Sequence, residues 1–218
     1  FSEAEPGPVS ERRRDLLLVE HLALESLREA GVAAATSRII DAGGQRFLEV
    51  ERFDRVGELG RRALFSLAAL DAEFVGSGNG CWPAIVRRLA AARLVRAEAV
   101  QDAELLWAFG TLIGNSDMHN GNLSFIADRS RTYELAPAYD MTAMAFRPSV
   151  GGALPVTLAD AVLHAEVTHA AWRRAHGLAQ RFIERLRSAS GFSARFAPCI
   201  AALASHVATA GGKISRLG

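Results

Sequence analysis

The segment IGNSDMHNGNLSF, residues 113–125, gathers Asp117, His119, Asn120, Gly121 and Asn122 between two apolar runs, and a further carboxylate, Asp140, follows in LAPAYDMTA. Asp117 precedes Asn122 by five positions, and seventeen residues lie between Asn122 and Asp140. That order suits phosphoryl transfer. In such chemistry a loop aspartate accepts the proton of the attacking hydroxyl, while an asparagine and a second aspartate hold Mg²⁺ against the nucleotide phosphates. Mg²⁺ takes hard oxygen ligands, so one carboxylate and one amide carbonyl, completed by phosphates and water, suit it. Gly121 would let the loop backbone pass close to a phosphate. A single loop Asp or Asn is ordinarily a cap or an Asx turn, Asn120 included, and a lone His119 is more often a hydrogen-bonded structural group. The ordered combination is what points to chemistry. His21, His164, His169, His176 and His206 fall on predicted helices or their ends without ligand spacing and read as structural or solvated.

For Asn122 and Asp140 to meet at one ion the chain must double back between them. Short strands at 122–126 and 132–135, either side of the turn ADRSR, provide this, and a helix over 101–114 leads into the loop. Upstream, residues 2–10 read as a loop with Ser10 as a helix cap, and apolar residues from Leu16 to Ala30 recur at helical spacing until Gly31. Runs at 36–40 and 46–53, separated by DAGG, form a predicted hairpin. After ERFDR and a glycine-flanked turn the pattern is mainly helical, with predicted helices at 63–72, 82–94, 160–167, 170–189 and 195–210, the last ended by Gly211 and Gly212. SVGGALP at 149–155 is a loop by composition.

Half of the 218 residues are hydrophobic, enough for a substantial core. With 25 basic against 24 acidic residues, no global charge draws the chain to nucleic acid or membrane. Two distant cysteines, Cys81 and Cys199, make neither a disulfide framework nor a cysteine-based zinc site, which favours a reducing cytoplasm. No apolar run is long enough for a membrane span and no signal-peptide pattern opens the chain. The reading is a soluble, cytoplasmic chain, and the Phe1 start suggests a piece of something longer.

The motifs LIGNSDMHNGNLSF, LAPAYDMTA and FLEVERFDR together resemble the kinase portion of HipA-like serine/threonine kinases, often toxins of toxin–antitoxin pairs. The resemblance runs from the first helix to about residue 150 and is less distinct beyond it. It implies an α+β, protein-kinase-like fold, with residues 1–57 the remnant of a small strand-containing lobe and 58–218 a mostly helical lobe carrying the catalytic loop. It implies Asp117 as catalytic base, Asn122 and Asp140 as Mg²⁺ ligands, and His119, Asn120 and Gly121 beside the phosphates of ATP. Glu51, Arg52 and Phe53 would be the hinge, with backbone groups of Glu51 and Phe53 on the adenine edge, and Asp54 within reach of the ribose. The implied partners are a protein substrate with a Ser or Thr hydroxyl and an antitoxin, with DNA reached through it.

The family pattern also calls for an upstream phosphate-binding loop and a strand lysine. The one lysine here is Lys213, near the C-terminus, so the expectation is a portion lacking the front of the nucleotide pocket, which binds ATP weakly or not at all. Two other readings stay open. Small-molecule kinases use a similar Asp, Asn and downstream Asp, although ERFDR and Ser116 favour a protein kinase. Alternatively the domain is a non-catalytic binding module for DNA or protein, using Arg173, Arg174, Arg181, Arg185 and Arg187, a set that also reads as a solvated helix face.

Overall fold

The computed structural model describes residues 1–78, 80–127 and 132–217. Helix α1 spans Pro8–Glu29 and is followed by the hairpin β1 (Ser37–Ala42) and β2 (Gln45–Val50). Gly43 and Gly44 both have positive φ, the tight two-residue turn that the DAGG motif announces. A small ribbon of β3 (Arg55–Val56) and β4 (Gly60–Arg61) leads to β5 (Ala63–Ser66), α2 (Leu67–Leu70) and a π-helical turn over Asp71–Val75. Helices α3 (Trp82–Ala91) and α4 (Glu98–Leu112) precede the strands β6 (Ser124–Ala127) and β7 (Tyr133–Leu135). Helices α5 (His169–Ser188) and α6 (Ala197–Ile214) complete the chain. Residues 128–131, most of the ADRSR turn, lie outside the described residues.

Helix α4 is the axis of the helical part, packed against α3 on one side and α5 on the other, with α6 behind α5. Phe109 of α4 meets Phe182 of α5 edge-on at 5.9 Å, and both are fully buried. β5, β6 and β7 form an antiparallel sheet in that order, with Phe65 opposite Phe125 and Phe125 opposite Leu135. The candidate loop runs from the end of α4 into β6, and β7 leads on to Asp140.

Four expectations change. Residues 63–66 are strand, because they pair with β6; the helix begins only where the Ser66 hydroxyl accepts the Ala69 N–H. Residues 160–167 form no helix. Their carbonyls are held by other elements: Ala161 by Lys213, His164 by the Trp172 indole and Glu166 by Arg87. Ser10 is not the cap of α1, since Gly7 precedes Pro8 at the first helical position and Ser10 Oγ donates to the carbonyls of Glu5 and Gly7. Gly211 and Gly212 lie inside α6 and do not end it. A Cβ on Gly211 would stand 2.5 Å from His176 Nε2, so this glycine lets α6 approach α5.

Candidate active site

Helix α4 stops in a way that fixes what comes next. Gly114 adopts a left-handed φ of 72°, its N–H reaches Thr111 O, and the Asn115 N–H reaches Gly110 O at 2.9 Å. This Schellman termination sets the backbone of Asn115, whose side chain is buried at 5% exposure. The Asn115 Oδ1 accepts the Asp117 N–H at 3.1 Å, so the loop turns sharply and brings Asp117 to the surface of a small cavity.

Asp117, Asn122 and Asp140 come together. Asn122 Nδ2 donates to the Asp117 carbonyl at 2.9 Å and to Asp140 Oδ2 at 2.5 Å. With its nitrogen engaged, Oδ1 is the oxygen Asn122 has left to offer. The loop between is held from below: Asn120 O accepts the Ala68 N–H, His119 O accepts the Trp82 indole, and the Tyr139 hydroxyl donates to Gly121 O at 2.8 Å. His119 folds back, its Nδ1 accepting the Gly121 N–H at 3.0 Å; a Cβ on Gly121 would meet that ring at 2.8 Å. The glycine is thus required by the histidine.

Asp140 has a left-handed φ of 54°, unusual for a residue with a side chain. Three groups hold it there: the Asn122 amide on its carboxylate, Asn115 Nδ2 on its carbonyl at 3.2 Å, and the Glu20 carboxylate on its N–H. Burial raises the Asp140 pKa above the ordinary carboxylate value and the Asp117 charge adds to this, while His119 and Asn122 oppose it. Burial pushes Glu20 up to about 7, with Asp140 contributing in the same direction. Two carboxylates and an amide facing one another, with a third carboxylate behind, make a place that gains from a cation.

The donors fit Mg²⁺ by their chemistry. They are oxygens, and among the described residues no group of three or more His, Cys, Asp and Glu gathers into an all-protein metal cage. Mg²⁺ characteristically keeps waters and substrate phosphates around one or two carboxylates.

The hinge residues lie beside this centre. The Phe53 ring stands 6.0 Å from Tyr139, the residue before Asp140. The Glu51 N–H is engaged by Thr36 O at 2.8 Å. Arg52 forms a two-pronged ion pair with Asp54, at 2.7 and 2.6 Å, so this carboxylate is already partnered. On the other flank a cavity of about 880 Å³ opens between the candidate loop, Asp71, Gly76, Gly78 and Trp107, lined also by Met118, His119 and His164. Asp71 shapes it by accepting from Ser77 N, Ser77 Oγ and Gly78 N; burial alone would raise its pKa, but these bonds bring it below the ordinary value. Trp107 Nε1 is buried there and, among the described residues, has no hydrogen-bond partner.

Sequence reasoning missed Glu20 and Asn115. Glu20 sits on an amphipathic helix more than a hundred positions from Asp140, and nothing local marks it. Asn115 did carry a signal, a polar residue directly after a helix-ending glycine and two before Asp117. The remaining histidines are structural as read: His21 meets Ser37, His169 meets Ile214 O, His176 meets Val207 O and His206 meets Thr111 O. Of the arginines on α5, Arg185 pairs with Glu25 and Glu29 of α1, while Arg173, Arg174, Arg181 and Arg187 are exposed.

Residues 6–208 match the family model described as HipA-like C-terminal domain. Toxin YjjJ of Escherichia coli strain K12 is 36% identical over 219 residues, an alignment that takes in all of this chain and 49% of that protein. The chain thus spans about half the length of this curated relative. Among solved structures, a chain of the Shewanella oneidensis MR-1 toxin–antitoxin complex of HipA, HipB and operator DNA superposes with a TM-score of 0.67 at 18% identity, covering 93% of this chain and 57% of that one. The Helicobacter pylori proinflammatory kinase CtkA gives 0.64 at 14% identity, covering 96% and 83%. At such identities the likeness is one of fold, and that fold is protein-kinase-like, mixed helix and sheet.

Proposed function

The chain belongs to the HipA-like C-terminal domain family, and from that premise we propose that it is the catalytic portion of an ATP- and Mg²⁺-dependent protein kinase acting on a Ser or Thr hydroxyl. The observation that carries this reading is the single amide group of Asn122, which bonds at once to the Asp117 carbonyl, five positions before it, and to the Asp140 carboxylate, 18 positions after it. A base and two oxygen ligands brought within one hydrogen-bonded cluster are the parts phosphoryl transfer needs, and little else is asked of the protein beyond position and charge.

In this mechanism Asp117 takes the proton of the acceptor hydroxyl as the phosphoryl group moves to it. Its backbone is pinned by Asn115 and Asn122, so the carboxylate is oriented before substrate arrives. Asn122 Oδ1 and the Asp140 carboxylate would hold Mg²⁺, which when bound neutralises the phosphate charge. Glu51 and Phe53 offer backbone groups to the base of ATP, and Arg52 keeps Asp54 folded against the hinge. Residues 1–57 act as part of a small lobe and 58–218 as the helical lobe, with His119, Asn120 and Gly121 bordering the phosphates.

The biological setting follows the same premise: a cytoplasmic toxin restrained by an antitoxin that also contacts DNA, as in the complex of HipA, HipB and operator DNA. Among the described residues no helix is long and apolar enough to cross a membrane. The test is Mg²⁺-dependent transfer of labelled γ-phosphate from ATP by the full-length protein, with Asp117→Asn and Asp140→Asn alongside. Loss of about 100-fold or more in either variant supports the reading. Transfer that ignores both substitutions, or none from a well-folded protein, removes it and leaves a binding module.

A further inference from the structure

We infer that Asn115 is a positioning residue that sets the metal-ligand carboxylate against the base, an inference that rests on the phosphotransfer reading above. Among the described residues, its carboxamide is the one side chain seen to bridge the backbones of the two aspartates. Oδ1 accepts the Asp117 N–H at 3.1 Å, and Nδ2 donates to the Asp140 carbonyl at 3.2 Å. Neither bond involves a carboxylate, so Asn115 leaves both acids free for chemistry while fixing the peptides that carry them.

Its own placement is rigid. The Schellman termination of α4 fixes its backbone through Gly114 and Gly110, and burial to 5% exposure confines its side chain. Gly110 and Gly114 are themselves required: a Cβ at the first would stand 2.3 Å from Met118 Sδ, and at the second 2.3 Å from Leu158 Cδ2. Rigid support matters most at Asp140, whose φ of 54° is a backbone state that is maintained only when neighbours over-determine it. The Asn115 amide holds the carbonyl side of that residue, where no other described side chain is seen to act. Without it the Asp140 peptide can relax toward the ordinary right-handed region, turning its carboxylate away from Asn122. Partners that orient a metal ligand typically matter by about 10- to 100-fold in metal affinity or activity.

The two arms of the amide can be separated. Asn115→Asp keeps an acceptor for the Asp117 N–H and loses the donor to Asp140 O; Asn115→Ala loses both. Two measurements on the full-length protein decide the matter: the Mg²⁺ concentration that half-saturates γ-phosphate transfer, and the affinity for Mn²⁺ in the presence of ATP, read from the free-ion EPR signal without turnover. The expected result for both variants is a rise of about 10-fold or more in the half-saturating Mg²⁺ concentration and in the Mn²⁺ dissociation constant, with ATP KM at saturating Mg²⁺ little changed. Equal Mn²⁺ affinity in wild type and both variants, with activity falling only as the folded fraction falls, overturns the inference and leaves Asn115 a helix-end residue. Asp117→Asn and Asp140→Asn keep the two failures apart. If they transfer phosphate as wild type does, the kinase reading fails; if they are inactive while the Asn115 variants bind Mn²⁺ normally, only the positioning role fails. Should the protein transfer nothing, the Mn²⁺ arm still decides, since unchanged affinity overturns the inference and weakened affinity upholds the brace.

Discussion

The Asn122 amide lies 2.5 Å from the Asp140 carboxylate, closing a loop of 18 positions. Hydrogen bonding of this kind orients a carboxylate and steadies its charge, and the same amide's oxygen is the one proposed above as a Mg²⁺ ligand. Asn122→Ala removes the oxygen donor and the orienting bond together. Transfer activity is expected to fall by about 100-fold or more, while the thermal midpoint shifts by only a few degrees, because Asn122 is half-buried and its backbone bond to His119 O persists. Parallel activity assays and melting curves on purified variants check this; a fall in activity that merely tracks unfolding would count against a role in the chemistry.

Gly211 and Gly212 separate two physical roles that look identical in sequence. At Gly211 a methyl group would meet His176 Nε2 at 2.5 Å and Cε1 at 2.7 Å, displacing a ring bonded to Val207 O. At Gly212 the nearest heavy atom to such a methyl is Arg216 at 4.0 Å. Gly211→Ala is therefore expected to destabilise by about 1–3 kcal/mol, and Gly212→Ala to stabilise by about 0.5–1 kcal/mol through helix propensity. Urea unfolding of both variants measures the difference; two effects of the same sign would contradict the packing account.

The glycine pair also shows what was legible in the sequence and what was not. The motif order of Asp117, Asn122 and Asp140 and the hairpin at Gly43 and Gly44 are local patterns, and the structure has both. Residues 63–66 look helical because Ala63 and Leu64 favour helix; pairing with β6, some sixty positions away, overrides this and decides for strand. Helix 160–167 failed for a related reason, since its carbonyls bond to Arg87 and Lys213 from distant helices and to Trp172 of the helix that follows. Glu20 was invisible because its relation to Asp140 exists only after α1 has packed under the site. Short-range spacing speaks for itself, whereas long-range partners do not.

Arg12 ties α1 to the segment that follows Asp140. Its guanidinium, 3% exposed, donates to Phe146 O at 2.9 Å and Pro155 O at 2.7 Å, and lies 5.5 Å from the centre of the Phe196 ring. Both ends of the loop at 147–154 are thus fastened to one side chain. Arg12→Ala leaves two carbonyls without their donor and a cavity against Phe196, an expected loss of about 2–5 kcal/mol. Limited proteolysis with elastase should cut after Val150, which is fully exposed in this loop, faster than in wild type under conditions where both are folded. Unchanged cleavage and stability would mean that the loop is closed by its own turn at Ser149 and Ala153.

Asp15 provides a pH signature away from the candidate site. It is 1% exposed, and its carboxylate accepts from Ser193 N at 2.8 Å and Ser193 Oγ at 2.6 Å. Burial raises its pKa above the ordinary value by more than Ser193, Arg12 and Arg46 lower it. The fold therefore holds this proton to a higher pH than the unfolded chain does. Between the ordinary and the raised value the native state binds more protons, so the Asp15 contribution to stability is greatest in acid and declines as pH rises through that window. Asp15→Asn cannot titrate and removes the slope. Melting temperatures of wild type and variant, compared at intervals from about pH 4 to about pH 7, should show wild type losing ground steadily to the variant as pH rises. A constant difference would mean that the carboxyl ionises alike in both states, and a difference that grows in favour of wild type would mean that the bonds from Ser193 outweigh burial.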